Sequence, residues 1–215
     1  MSHAISPDAA AEATQTRSRS FSLSMVQMLI LLGTVLFAIS HFFVWWELRL
    51  NAPQFPTGLF IEATSFEIRD SDKTRFNDIR EVDGLNHYIG MMSLGDAAKF
   101  EMSVAIPAIV LFVAMGIVAA FWRRRWSSLL VLPIVLFPWV YLADLFYWLW
   151  YAGHNLDPMA AITLESFTPR VLGHGKIAQF STDAEFRIGW YIALAACVVC
   201  LVAILVDMRR KRSHA

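Results

Sequence analysis

Four long apolar runs organise the chain, Ser24 to Trp46, Met102 to Trp122, Ser127 to Trp150 and Ile188 to Val206, with polar stretches between them. A hydrocarbon core about 30 Å thick takes ~20 apolar residues of helix, and each run meets or approaches that length. Their apolar character is continuous and lacks a two-residue period, so helices and not barrel strands are expected to satisfy the backbone in lipid. The pattern predicts an all-α integral membrane protein: four transmembrane helices at 24–46, 102–122, 127–150 and 188–206, under a small cap of mixed short elements.

Between the runs, the polar segments 47–101 and 151–187 are expected to form that cap. In the first, prolines at Pro53 and Pro56 favour an extended path, and Leu59 to Ile68 suits one or two short strands. Asn77 or Asp78 can cap a helix running toward His87, weakened at Gly84. A further helix is expected near Ser93, where Asp96 follows three residues on, leading directly into the second span. The second segment, rich in Gly, Pro, Asn and Asp, reads as loop or very short helices.

Charge supplies orientation. Arg17 and Arg19 precede the first run, Arg123 to Arg125 separate the second from the third, and Arg209 to Arg212 follow the fourth. Basic flanks stay on the cytoplasmic side, which predicts a multi-pass protein of a bacterial inner membrane with both termini cytoplasmic and the two polar segments periplasmic. Residues 1–23, rich in Ser, Ala and Thr, read as a disordered cytoplasmic tail, 123–126 as a cytoplasmic turn and 207–215 as a second tail. The first run is too long for a signal-peptide core and has no small-residue cleavage pattern after it, so it is expected to remain as an anchor.

The composition agrees: of 215 residues, 57% are hydrophobic and 17% charged, too apolar for an ordinary soluble domain. The chain contains no phosphate-binding loop, dinucleotide glycine pattern, zinc-protease motif or nucleophile elbow, and enzymatic activity is not expected. The basic clusters are short membrane flanks, not a nucleic-acid surface, and they suit anionic lipid. Cys197 and Cys200 have redox-like spacing but fall within an apolar run, where packing is the expected role.

Candidate chemistry lies in the polar segments and at the span ends. On a helix, His87 and Met91 would share a face, bringing imidazole beside thioether. With Met92, His154 and Met159 they make a soft donor set suited to copper, Met favouring the cuprous ion. The plainer alternative is that His87 packs a surface helix, the methionines fill a small core and His154 anchors at head groups. Within the first and third runs, His41 lies ~7 Å and Asp144 ~9 Å beneath tryptophans that mark the outer interface. An intramembrane acid seeks a partner, so these two are expected to interact. They are also the residues through which haem or quinone would be held.

Leu85-Asn86-His87-Tyr88-Ile89-Gly90-Met91, followed after two apolar runs by Gly153-His154-Asn155-Leu156-Asp157-Pro158, resembles the small polytopic membrane proteins encoded beside bacterial nitrous oxide reductase and its copper-maturation genes. Phe167-Thr168-Pro169 and Leu172-Gly173 are similar too. The resemblance implies an accessory role in assembling, supplying or docking a periplasmic copper enzyme, with that enzyme or its maturation proteins as partners beside the lipid bilayer. It assigns no residue an activity. The alternatives are a membrane electron-transfer component holding haem or quinone, and a ligand-free structural subunit of a membrane complex.

Overall fold

The computed structural model describes residues 23–74, 77–122, 127–177 and 179–212. The tail at residues 1–22 and the basic cluster Arg123 to Arg125, both used above for orientation, lie outside the described residues.

Helix α1 spans Met25–Ser40, entered through a capping box in which Ser24 and Gln27 exchange side-chain and backbone hydrogen bonds. It stops earlier than the apolar run does. The N–H groups of Phe42 and Phe43 fold back onto the carbonyls of Ile39 and Ser40, and strand β1 (Trp46–Ala52) begins at once. There follow β2 (Phe55–Ala63), β3 (Ile68–Asp70), α2 (Asp78–Tyr88), α3 (Lys99–Phe121), a short 3-10 turn at Ser127–Val131, α4 (Leu132–His154), β4 (Gly173–Ile177), β5 (Phe180–Phe186) and α5 (Ile188–Arg212).

The fold is therefore mixed and not all-α. Five strands form one antiparallel sheet in the order β3-β2-β1-β5-β4. Three helices are long and apolar enough to cross a membrane, Lys99–Phe121, Ser127–His154 and Ile188–Arg210, which is consistent with a membrane protein. Four such spans were expected. At 16 residues, α1 is about 24 Å long, short of a bilayer core, because its last apolar residues are drawn into the sheet.

The alternation that builds β1 is plain in Trp46-Glu47-Leu48-Arg49-Leu50. Trp46, Leu48 and Leu50 turn to one face, and Glu47 and Arg49 to the other. In β5, Phe180, Thr182, Ala184 and Phe186 alternate with Ser181, Asp183 and Glu185. The two strands pair from Trp46↔Phe186 to Asn51↔Ser181, joining segments about 130 residues apart in sequence. Each feeds a helix. Arg187 donates its N–H to the Trp45 carbonyl and Gly189 to that of Val44, locking the α1–β1 junction against the β5–α5 junction.

Below the sheet, α1 packs along α5 and against α3. Small residues allow the close approach. A Cβ on Gly33 would strike Cys200 Sγ and one on Gly116 would strike Thr34, both inside the core formed with Ile30, Phe37, Ile134 and Ala203. Cys197 and Cys200 are buried free thiols of that core. At the end of the bundle away from the sheet, Gln27 donates to the Ala120 carbonyl at 2.7 Å and Ser128 to Asp207.

On the underside of the sheet, Val82, Ile79 and Leu85 of α2 pack against Leu50, Leu59 and Ile61. Leu145 and Leu149 of α4 pack against Trp46, Ala63 and Ala184. The outer turns of α4 thus reach the sheet. Asn77 caps α2 by accepting from Arg80 N–H, and Asp78, fully buried, accepts from Phe60 N–H and from Thr74. No helix starts at Ser93. Ser93 bonds Asp96, but the chain turns through residues 94–98, Ala98 adopts φ +50°, and α3 begins at Lys99.

Candidate functional site

Two stretches 60 residues and more apart in sequence meet at the C-terminal end of α2. The helix closes in a Schellman motif. Gly90, at φ +76°, takes the left-handed position, Met91 N–H donates to the Asn86 carbonyl and Gly90 N–H to that of His87. Residues of the second polar segment bond directly onto this terminus. Asp157 N–H donates to the Gly90 carbonyl at 2.8 Å and Ile162 N–H to the Tyr88 carbonyl at 2.9 Å. Gly90 serves two purposes here. A Cβ would be left-handed, and it would stand 2.8 Å from both Asp157 N and Asp157 O.

The seam carries the expected copper donors but arranges them differently. His87 is the penultimate residue of α2 and is exposed, whereas Met91 lies beyond the left-handed turn, so the shared helical face expected of the pair does not form. Met91 and Met92 are half-buried and line an apolar cavity under the sheet. His154 is exposed at the end of α4. Its ring stacks on Trp150 at 4.8 Å, and Nδ1 bonds the Trp150 carbonyl at 2.9 Å. Met159 is 88% exposed, one residue past the Asp157 turn that receives its N–H. Among the described residues, no group of three or more His, Cys, Asp and Glu side chains is placed to hold a metal ion. A metal at the seam would depend on two imidazoles with thioether help.

His41 and Asp144 occupy separate environments. His41 is buried just past the end of α1, where Nδ1 bonds Ser65 Oγ at 2.6 Å. Its ring stacks on Trp45 and meets Phe37 and Phe137 edge-on, at centroid distances of 5.5, 4.5 and 5.5 Å. Nε2 is buried without a partner. Asp144 stands instead beside Glu101, Tyr141 and Trp148, across the gap between α3 and α4. The expected contact between His41 and Asp144 is absent from the hydrogen bonds of the described residues. Ser65, in the turn between β2 and β3, takes its place, a partner that only the sheet brings near.

The outward face of the sheet holds a feature the sequence pattern did not suggest. Glu62, Glu47 and Glu185 stand side by side on β2, β1 and β5. Like charges in register repel, and cations answer them. Lys73 bonds both oxygens of Glu47, Arg187 lies 3.6 Å from Glu47 and bonds Glu185, and Arg69 meets Glu62 at 3.2 Å. On the next row outward, His174 Nδ1 lies 2.9 Å from Asp183, and this bond holds the Asp183 carboxyl below its ordinary range. The glycine-flanked His174 is thus a strand residue, although the second polar segment reads as loop or very short helices.

Set against protein-family models, curated proteins and solved structures, the chain matches none.

Proposed function

We propose that this protein is an accessory factor of a bacterial cytoplasmic membrane that handles copper for, or docks, a periplasmic copper enzyme such as nitrous oxide reductase. The observation that carries the reading is the seam itself. The segment bearing His87, Met91 and Met92 and the segment bearing His154 and Met159 are joined through the Gly90–Asp157 and Tyr88–Ile162 backbone bonds. The resemblance of these same two segments to proteins of nitrous oxide reductase gene clusters supports it. Soft imidazole and thioether donors select copper over hard cations. On this reading the basic residues Arg209 and Arg210 near the end of α5 lie on the cytoplasmic side, and the sheet and seam lie on the periplasmic side.

Titration of the purified protein with cuprous ion against a chromophoric chelator tests the reading. Wild type binds, and a combined His87→Ala, Met91→Ala and His154→Ala variant loses at least tenfold in affinity. Equal weak binding by both defeats the copper assignment and leaves docking alone.

The second reading, an electron-transfer component holding haem or quinone, draws on His41 Nε2, buried and unpartnered. Axial ligation there requires Phe37, Trp45 or Phe137 to move, since the three rings enclose the imidazole. A Soret band in the purified protein would favour it.

A further inference from the structure

The underside of the sheet, α2 and the outer turns of α4 do not close completely on one another. They leave a cavity of about 120 Å³ whose walls include Ile61 from β2, Val82 from α2, Met91 and Met92 from the connection to α3, and Leu149 and Ala152 from α4. The lining is almost wholly apolar, so water gains little there. The wall also carries Asn86, Ser93 and Thr182, but the polar atom without a partner there belongs to Trp148. The indole N–H of Trp148 is buried and reaches no acceptor in good hydrogen-bond geometry, its polar neighbour being the Asp144 carboxylate one turn earlier, close enough to interact weakly with it. A buried donor left unpaired is destabilising, and an occupant bringing an acceptor oxygen would satisfy it.

Size and position restrict the occupant. An engineered cavity of about 150 Å³ takes one benzene, so this one holds a short hydrocarbon segment and not a substituted quinone ring. The wall at Trp148, Leu149 and Ala152 belongs to a helix long and apolar enough to cross the membrane. No residue of α3 contributes to the lining, and α3 meets α4 only sparsely, packing instead on α1 and the 3-10 turn. We infer that the cavity takes part of an acyl chain of a membrane phospholipid, entering between α3 and α4 with its ester carbonyl accepting from Trp148 Nε1. The lipid clamps the cap to the bilayer surface. This does not depend on copper.

The test is photocrosslinking of the full chain in nanodiscs containing phosphatidylcholine with a diazirine on its acyl chain, the labelled peptides being mapped by mass spectrometry. Label is expected on the sheet underside, around Ile61, and at Met91 and Met92, as well as on the lipid-facing sides of the helices. Ala152→Phe fills the cavity and should abolish the sheet label while the helix label persists; where that variant fails to fold, Ala63→Leu fills it from the sheet side. Trp148→Phe keeps the shape, removes the donor and should lower the sheet label several-fold. Label confined to the helices in wild type overturns the proposal. So does sheet label that survives both fillings, or that an excess of a long-chain quinone displaces and unlabelled phospholipid does not.

Discussion

Asp157 donates its backbone N–H to the carbonyl of Gly90, and the two residues stand so close that no side chain fits at position 90. This contact decides how the second polar segment lies on the first. Gly90→Ala should destabilise the protein by about 2 kcal/mol or more, since it combines the penalty of a left-handed alanine with a collision against backbone. Gly84 is the control. It sits inside α2 with open space around its Cα, and Gly84→Ala should stabilise by up to about 1 kcal/mol. Thermal unfolding followed by tryptophan fluorescence reads both. Equal effects of the two substitutions would show that the seam does not constrain position 90.

Glu47 is a nearly buried carboxylate opposite two other glutamates, and Lys73 is the cation that closes on both its oxygens. Among the described residues, removing Lys73 leaves that charge answered only by Arg187 at 3.6 Å. Lys73→Met should cost about 1–3 kcal/mol, more than its half-exposed position suggests, because a buried acid loses its closest partner. Adding Glu47→Gln should return part of the loss. A double-mutant cycle measures the coupling, and additivity of the two changes would rule out the pair as a stabilising unit.

How much of this was legible in the sequence depends on the range of the signal. The Asn77 cap and the helix behind it rest on neighbours three or four residues apart, and the structure has them. The sheet rests on β1 meeting β5 across most of the chain, and its local trace is a seven-residue alternation. In Trp46-Glu47-Leu48-Arg49-Leu50 the alternation is visible, but the preceding apolar run and the paired tryptophans also suit a membrane interface, and that competing pattern lengthened α1 on paper. Trp45 is in fact fully buried, donating its indole N–H to Ser40, while Trp46 is the first residue of the strand. Glycines misled in opposite directions. Gly173 and Gly175 suggested a loop where β4 forms, and Gly90, read as helical, ends the helix and parts His87 from Met91. The meeting of the two polar segments was expected. The expected bond between His41 and Asp144 failed because Ser65 arrives on the sheet.

Ser65 is the only hydrogen-bond partner of the His41 ring among the described residues. Ser65→Ala should leave both imidazole nitrogens unpaired in an aromatic enclosure and cost about 1–3 kcal/mol. His41→Phe should cost less than Ser65→Ala, because stacking on Trp45 is kept and the polar atoms go with the ring, leaving only the Ser65 hydroxyl to satisfy. Thermal denaturation of the two variants in one detergent gives the order. The reverse order would mean that the imidazole itself is needed, as a ligand or proton carrier.

Asp183 and His174 give the edge of the sheet a dependence on acidity. The hydrogen bond from His174, more than those from Asn51 and the nearby charges, holds the Asp183 carboxyl below its ordinary range. A carboxyl lowered by folding binds its proton less readily in the folded state. The stabilisation is therefore present in full above the unfolded value, about pH 4, and is lost as pH falls through the lower folded value. Both groups are exposed, so the effect should be small and screened by salt. Hydrogen exchange at the β4–β5 pairing, compared at pH 6 and pH 3 between wild type and Asp183→Asn, is the measurement. Wild type should lose protection at the lower pH relative to the variant, whose amide cannot titrate. A parallel response of the two proteins would place the acid sensitivity of this edge elsewhere, the row of glutamates on β1, β2 and β5 being the next group to test.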